Sequence, residues 1–133
     1  MMFSTRSEYA LRAVIELARQ WRDNCAVSVH TIAQDTGIPY QYLEQLIHPL
    51  RRAHIVTAQR GVKGGYRLAH DPSKLTVQDI LQCMEYDIAP FKCPGAGNFT
   101  CIREDHCAAK RVWHELARSI SHTAQEITIA DLI

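Results

Sequence analysis

Residues 28–52 read SVHTIAQDTGIPYQYLEQLIHPLRR, and this stretch decides the fold. Val29, Ile32 and Ala33 recur at helical spacing and make a short amphipathic helix that stops at Gly37. Ile38-Pro39 follows, with proline suited to the first position of a new helix. Tyr42, Leu43, Leu46, Ile47 and Leu50 then give a second apolar face. Helix, glycine-containing turn, helix is the helix-turn-helix arrangement. Its second helix presents Tyr40, Gln41, Glu44 and Gln45 from its first turns, where recognition helices touch base edges. Glutamine can pair with adenine, and glutamate can accept from cytosine. Any two helices around a glycine imitate this pattern, so the flanking sequence has to discriminate.

Outward on the C-terminal side, Ile55–Gln59 alternates as a strand, residues 60–65 form a glycine-rich turn, and Tyr66–Leu68 returns. A basic hairpin directly after a helix-turn-helix reads as a wing, its backbone near phosphates and an arginine able to enter a narrow minor groove. A plain hairpin with solvated charges is the alternative. Between Gln45 and His70 stand Arg51, Arg52, Arg60, Lys63 and Arg67, with no acidic residue. Of the chain's 15 lysines and arginines these five leave ten to set against 14 acidic residues. A net charge of +1 thus conceals a basic block on an acidic body, the footprint of a nucleic-acid reader. Arg51, Arg60 and Lys63 join the four residues of the second helix as candidate DNA contacts.

Upstream, residues 4–20 form a first helix with Tyr9, Ala10, Ala13, Val14 and Leu17 on one face. Thr5 and Glu8 match a capping box at its start. Arg22–Cys25 reads as a turn whose cysteine is a buried or half-buried small apolar residue. Downstream, Asp71-Pro72-Ser73 is a turn, and Thr76 caps a helix from Val77 to about Tyr86 with Cys83 packed beside its buried face. From about Asp105 to Gln125, Ala109, Val112, Trp113, Leu116, Ala117, Ile120 and Ala124 form a period-3.6 stripe. A helix of about 20 residues spans roughly 30 Å, longer than so small a body covers alone, so a second copy is expected along it. Packing within one chain is the alternative. Residues 127–133 read as a short apolar tail that docks.

Between these helices lies CPGAGNFTCIREDHC, residues 93–107. Cys93, Cys101 and Cys107 are separated by seven and five residues, and the small residues between the first two let a loop wrap its thiolates around one object. This points to a metal ion or an iron–sulfur cluster. Glu104 and Asp105 read as the start of a helix whose N-terminus stabilises the Cys107 thiolate. Free thiols or one disulfide are the plain alternatives. Five cysteines without a secretory signal argue for a reducing cytosol, and no apolar run reaches the roughly 18 residues of a membrane span. The expected organisation is therefore mainly α with a small β-hairpin: a winged helix-turn-helix over residues 1–90, a cysteine-rich loop over 91–107, and a dimerisation helix with its tail over 105–133.

Taken together, Tyr9-Ala10-Leu11, Gly37-Ile38, Tyr42 through Leu46, Leu50-Arg51, Arg60-Gly61, Gly64-Gly65-Tyr66 and the three cysteines followed by Trp113 and Leu116 resemble the bacterial Rrf2 family of winged helix-turn-helix transcription regulators. The resemblance runs over essentially the whole chain. It implies a cytoplasmic homodimer on a partly palindromic operator of double-stranded DNA, and in IscR-like and NsrR-like members a cluster on the three cysteines, [2Fe–2S] ahead of [4Fe–4S]. Two departures stand out. The first cysteine gap is longer than in the better-known members, and Lys110 occupies the place where IscR-like members carry a ligating histidine. Other members take an acidic residue from the partner's first helix, and the matching position is Glu8, with His106 and His114 as further candidates. Structural zinc on three cysteines and a histidine remains open, as does a clusterless regulator controlled by a partner or small molecule. A cysteine-based redox enzyme is disfavoured: the chain has no C-x-x-C, no phosphate loop and no acid–base constellation.

Overall fold

A computed structural model of the chain describes residues 3–85, 93 and 100–133. Helix α1 spans Thr5–Arg19, α2 Val29–Thr36 and α3 Tyr40–Arg52. Strands β1 (Val56–Gln59) and β2 (Gly65–Leu68) form an antiparallel hairpin, and α4 (Val77–Met84) and α5 (Lys110–Glu126) complete the chain. The core lies where α1, α2, α3 and α4 meet, with Val14, Ile32, Leu43, Leu50 and Ile80 at its centre.

Local chemistry explains most boundaries. Ser28 caps α2 by accepting from the Thr31 N–H at 3.1 Å, and Gly37 closes it in the left-handed region at φ 70°. Pro39 stands one position earlier than expected. It precedes α3 in extended conformation (ψ 133°), and its carbonyl accepts the Leu43 N–H at 2.9 Å. The hairpin pairs Val56 with Leu68 and Gln59 with Gly65. It is fastened to the body by Val27, which exchanges two 2.8 Å backbone hydrogen bonds with Tyr66. A Cβ on Gly65 would stand 2.3 Å from the Val27 carbonyl oxygen, so only glycine permits this approach. The apolar tail docks as expected: Ile129 is fully buried, and its N–H reaches the Leu75 carbonyl at 2.8 Å.

Four expectations are corrected. The N-cap of α1 is Ser4, not Thr5, so Glu8 is the fourth helical residue, exposed and outside any capping box. Cys25 is exposed, because it sits on the turn after α1 with its thiol against the Asp23 carbonyl at 3.3 Å. Glu104–His106 forms a single 3-10 turn, and extended backbone at Cys107 (φ −93°, ψ 104°) delays α5 to Lys110. Cys107 therefore lies before the helix, not within its first turn. Helix α4 ends at Met84, since Glu85 is extended (ψ 137°); Tyr86 lies outside the described residues. Cys83 does pack against the core as expected, and burial pushes its thiol pKa up.

Candidate nucleic-acid interface and cysteine segment

Helix α3 divides cleanly into two faces. Leu43, Leu46, Ile47 and Leu50 are buried in the core, which leaves Tyr40, Gln41, Glu44 and Gln45 exposed on the opposite side. The Tyr40 hydroxyl hydrogen-bonds Glu44, and that bond together with the carboxylate's charge raises the phenol pKa. His30 of α2 places its ring 6.4 Å from that of Tyr40. At the other end of α3, the Arg51 guanidinium lies 6.0 Å over the Tyr66 ring of the wing, which joins the two elements by a cation–π contact.

Arg60 and Lys63 are exposed at the wing tip, where Gly61 at φ 112° and a Gly64 N–H to Gly61 carbonyl bond of 2.9 Å shape the turn. A Cβ on Gly64 would meet the Gln59 carbonyl oxygen at 2.5 Å, so the tip also requires glycine there. Arg67 differs from the rest of the basic block: it is half-buried and donates to the Asn24 side-chain oxygen. The structure thus carries all seven sequence-derived contact candidates on exposed positions of α3 and the wing.

The metal-ligand candidates are not gathered in the same way. Cys93 is 8% exposed, Cys101 half-buried and Cys107 exposed. Among the described residues no three His, Cys, Asp or Glu side chains stand close enough together to hold a metal ion. Three thiols and an exposed carboxylate suit an iron–sulfur cluster in donor chemistry, but one chain does not converge them. Glu8 is freed for such a role by losing the cap. Lys110 is paired with Glu104 at 3.4 Å, His106 is exposed and His114 half-buried.

Two long-range ties were not legible in the sequence. Glu85, the last residue of the body before the cysteine segment, accepts the Ser4 N–H at 2.8 Å and the hydroxyls of Ser4 and Ser7. Burial pushes its pKa up, but these donors and the nearby Arg6 outweigh that and hold it below the usual carboxylate value. Arg12 of α1 donates to the carbonyl of Thr36, the last residue of α2. Each joins residues far apart in the chain, and no local pattern announces either.

Residues 3–133 match the Rrf2 family, described as "Iron-dependent Transcriptional regulator". The chain is 35% identical over 133 residues to protein rrf2 of Nitratidesulfovibrio vulgaris, covering all of this chain and 87% of the relative. The HTH-type transcriptional regulator CymR of Bacillus subtilis is 34% identical over 99% of the chain and 89% of its own length. The structure of that protein, described as the global cysteine regulator, superposes with a TM-score of 0.82 at 34% identity, covering 98% of this chain and 94% of the other. T. potens IscR gives a TM-score of 0.80 at 34% identity, over 97% of this chain and 83% of its own. These relatives are regulators and not enzymes, and no helix among the described residues is long and apolar enough to cross a membrane. With the winged helix-turn-helix in place, the chain belongs to the Rrf2 family of DNA-binding transcriptional regulators.

Proposed function

We propose that the protein works in the cytoplasm as a homodimer whose operator binding responds to an iron–sulfur cluster held by Cys93, Cys101 and Cys107, with Glu8 of the other subunit as the fourth ligand. One observation carries this reading. The three cysteines lie on the segment that joins α4, packed on the DNA-binding body, to α5, whose Val112, Trp113 and Leu116 are 54%, 39% and 45% exposed in the single chain. Whatever occupies the cysteines therefore acts between the DNA-reading body and a helix that needs a partner. When bound, a cluster supplies redox and nitric-oxide reactivity, most accessible at an iron held by carboxylate. The chain's own residues do the rest. Gln41, Gln45 and Glu44 read base edges beside Tyr40, while Arg51, Arg60 and Lys63 neutralise phosphates. Helix α5 pairs with its copy along the exposed stripe.

The test is anaerobic purification with iron and sulfide counting, then operator binding with and without the cluster. Glu8→Gln is compared with Lys110→Ala by iron per monomer and visible spectrum. Glutamine lacks an anionic oxygen, so Glu8→Gln should give a labile cluster with a shifted spectrum and Lys110→Ala an unchanged one. An unaltered Glu8→Gln cluster moves the fourth ligand to His106 or His114.

A second reading is a regulator with structural zinc or no metal, controlled by a partner or small molecule. The separation of the donors within one chain and the likeness to CymR favour it. Colourless anaerobic protein that binds its operator fully would establish this reading in place of the first.

A further inference from the structure

Val62 stands at the tip of the wing with no part in holding the hairpin together. The Gly64 N–H bonds the Gly61 carbonyl at 2.9 Å, so Val62 and Lys63 are the two central residues of the turn and its outermost point. Val62 is 107% exposed, the highest value among the large apolar residues described. Turns favour glycine, proline, asparagine, aspartate and serine, so nothing in the local backbone calls for a β-branched apolar side chain here.

The tip is held in a fixed relation to the recognition helix. Gly65 packs against the Val27 carbonyl, and Val27 and Tyr66 exchange their two 2.8 Å backbone bonds. Arg51 of α3 lies over the Tyr66 ring. Wing and α3 therefore meet a partner as one body, and the charge around Val62 selects that partner. Exposed Arg60 and Lys63 stand on either side of it, and no acidic residue occurs from Gln45 to His70. An apolar patch on another protein would leave both cations without counter-charge. The minor groove of DNA supplies what is needed, a slot about 6 Å wide with phosphates along both walls. Its floor differs between base pairs. A·T shows acceptors only, whereas G·C adds the guanine 2-amino group, a donor that a valine methyl leaves unsatisfied. Apolar side chains placed in this groove also press between base steps, most easily at flexible pyrimidine–purine steps.

We propose that Val62 is a specificity-determining residue, packing on the minor-groove floor beside each major-groove half-site and selecting A·T over G·C there. The proposal rests on the wing lying against DNA, and it gives base preference to a segment otherwise assigned phosphate contacts.

The test starts from duplexes that the wild-type protein selects out of a random pool. Pairs beside the half-sites are then set to A·T, G·C or inosine·C, which keeps the major-groove edge of G·C without its 2-amino group. In fluorescence anisotropy the wild type should bind A·T and inosine·C alike and G·C about tenfold more weakly. Val62→Thr keeps the branched shape and offers a hydroxyl to the amino group, so it should bring all three duplexes within about twofold. The exposed position leaves the fold intact, and the salt slope should stay that of wild type, because an apolar contact releases no counterions. Equal wild-type binding of G·C and inosine·C, or undiminished discrimination in Val62→Thr, would overturn the proposal. Lys63→Ala separates the two levels of the reading. A salt slope flattened by about one, with Val62→Thr inert, rejects the role of Val62 alone, whereas an unchanged slope rejects the wing's contact with DNA as well.

Discussion

Replacing Glu85 tests whether the start of α1 is held from the end of α4. One carboxylate oxygen gathers three donors: the Ser4 N–H, the Ser4 hydroxyl and the Ser7 hydroxyl. Their worth differs with access to water. Ser4 is partly exposed, so water takes over its two donors at a cost of about 0.5 kcal/mol each. Ser7 is 1% exposed, so its hydroxyl is left without a partner at about 2 kcal/mol. Glu85→Ala should therefore destabilise by about 3 kcal/mol. Glu85→Gln keeps an acceptor oxygen and loses only the charge, for about 1 kcal/mol. Urea denaturation followed by far-UV circular dichroism, at fixed protein concentration, measures both.

The pH dependence adds an independent check. The folded pKa of Glu85 lies below its ordinary value of 4.5. The charged form's contribution is then complete above that value and disappears as pH falls through the folded pKa. The stability gap between wild type and Glu85→Gln should be flat through neutral pH and close in acid, below about pH 4. An alanine variant within about 0.5 kcal/mol of wild type, or a gap that widens in acid, would refute the reasoning.

Three further outcomes follow from the geometry. Gly65→Ala forces a Cβ against the Val27 carbonyl and should break the two Val27–Tyr66 bonds, losing about 2 kcal/mol together with most operator affinity, as read by urea denaturation and fluorescence anisotropy. Lys63→Ala should weaken all DNA sequences alike and flatten the salt slope by about one, whereas equal binding at every salt concentration would remove the wing from the interface. Leu116→Glu should give monomer in sedimentation velocity with operator affinity lost, a result that presupposes a dimeric wild type.

The parts of the fold that local chemistry determines were readable from residue order. Ser28 and Gly37 mark the ends of α2, apolar spacing marks the inner face of α3, and the glycines of the wing mark a turn that no other residue can make. Where two adjacent residues offer the same chemistry, sequence does not choose between them. Ser4 and Thr5 are both able to cap, and Ser4, which does so, also donates its N–H to Glu85, 81 positions away. Helix α5 starts late because Ala109 supplies no side-chain cap, while the acidic pair upstream closes its own 3-10 turn. The exposure of Cys25 had no periodic signal, since turns have none. The cysteine spacing identifies donor chemistry, but spacing along a chain does not say whether the thiols meet in one subunit.

These ties converge on α1. Its first turn is held by Glu85, at the threshold of the cysteine segment, and two turns further on Arg12 holds the Thr36 carbonyl at the turn into α3. Glu8 and Arg12 are four residues apart and so share one side of the helix. The Glu85 and Thr36 fastenings lie about 8–12 Å apart along α1, a regular helix of about 22 Å whose inner face, Ala10 through Ala18, is buried in the core. A helix packed in this way shifts as a body in preference to bending. Glu85 and the Thr36 carbonyl are thereby tied to the same helix, one at the end of α4 and the other at the turn into α3. They share a strut, and its two fastenings are a carboxylate on serines and a guanidinium on a carbonyl.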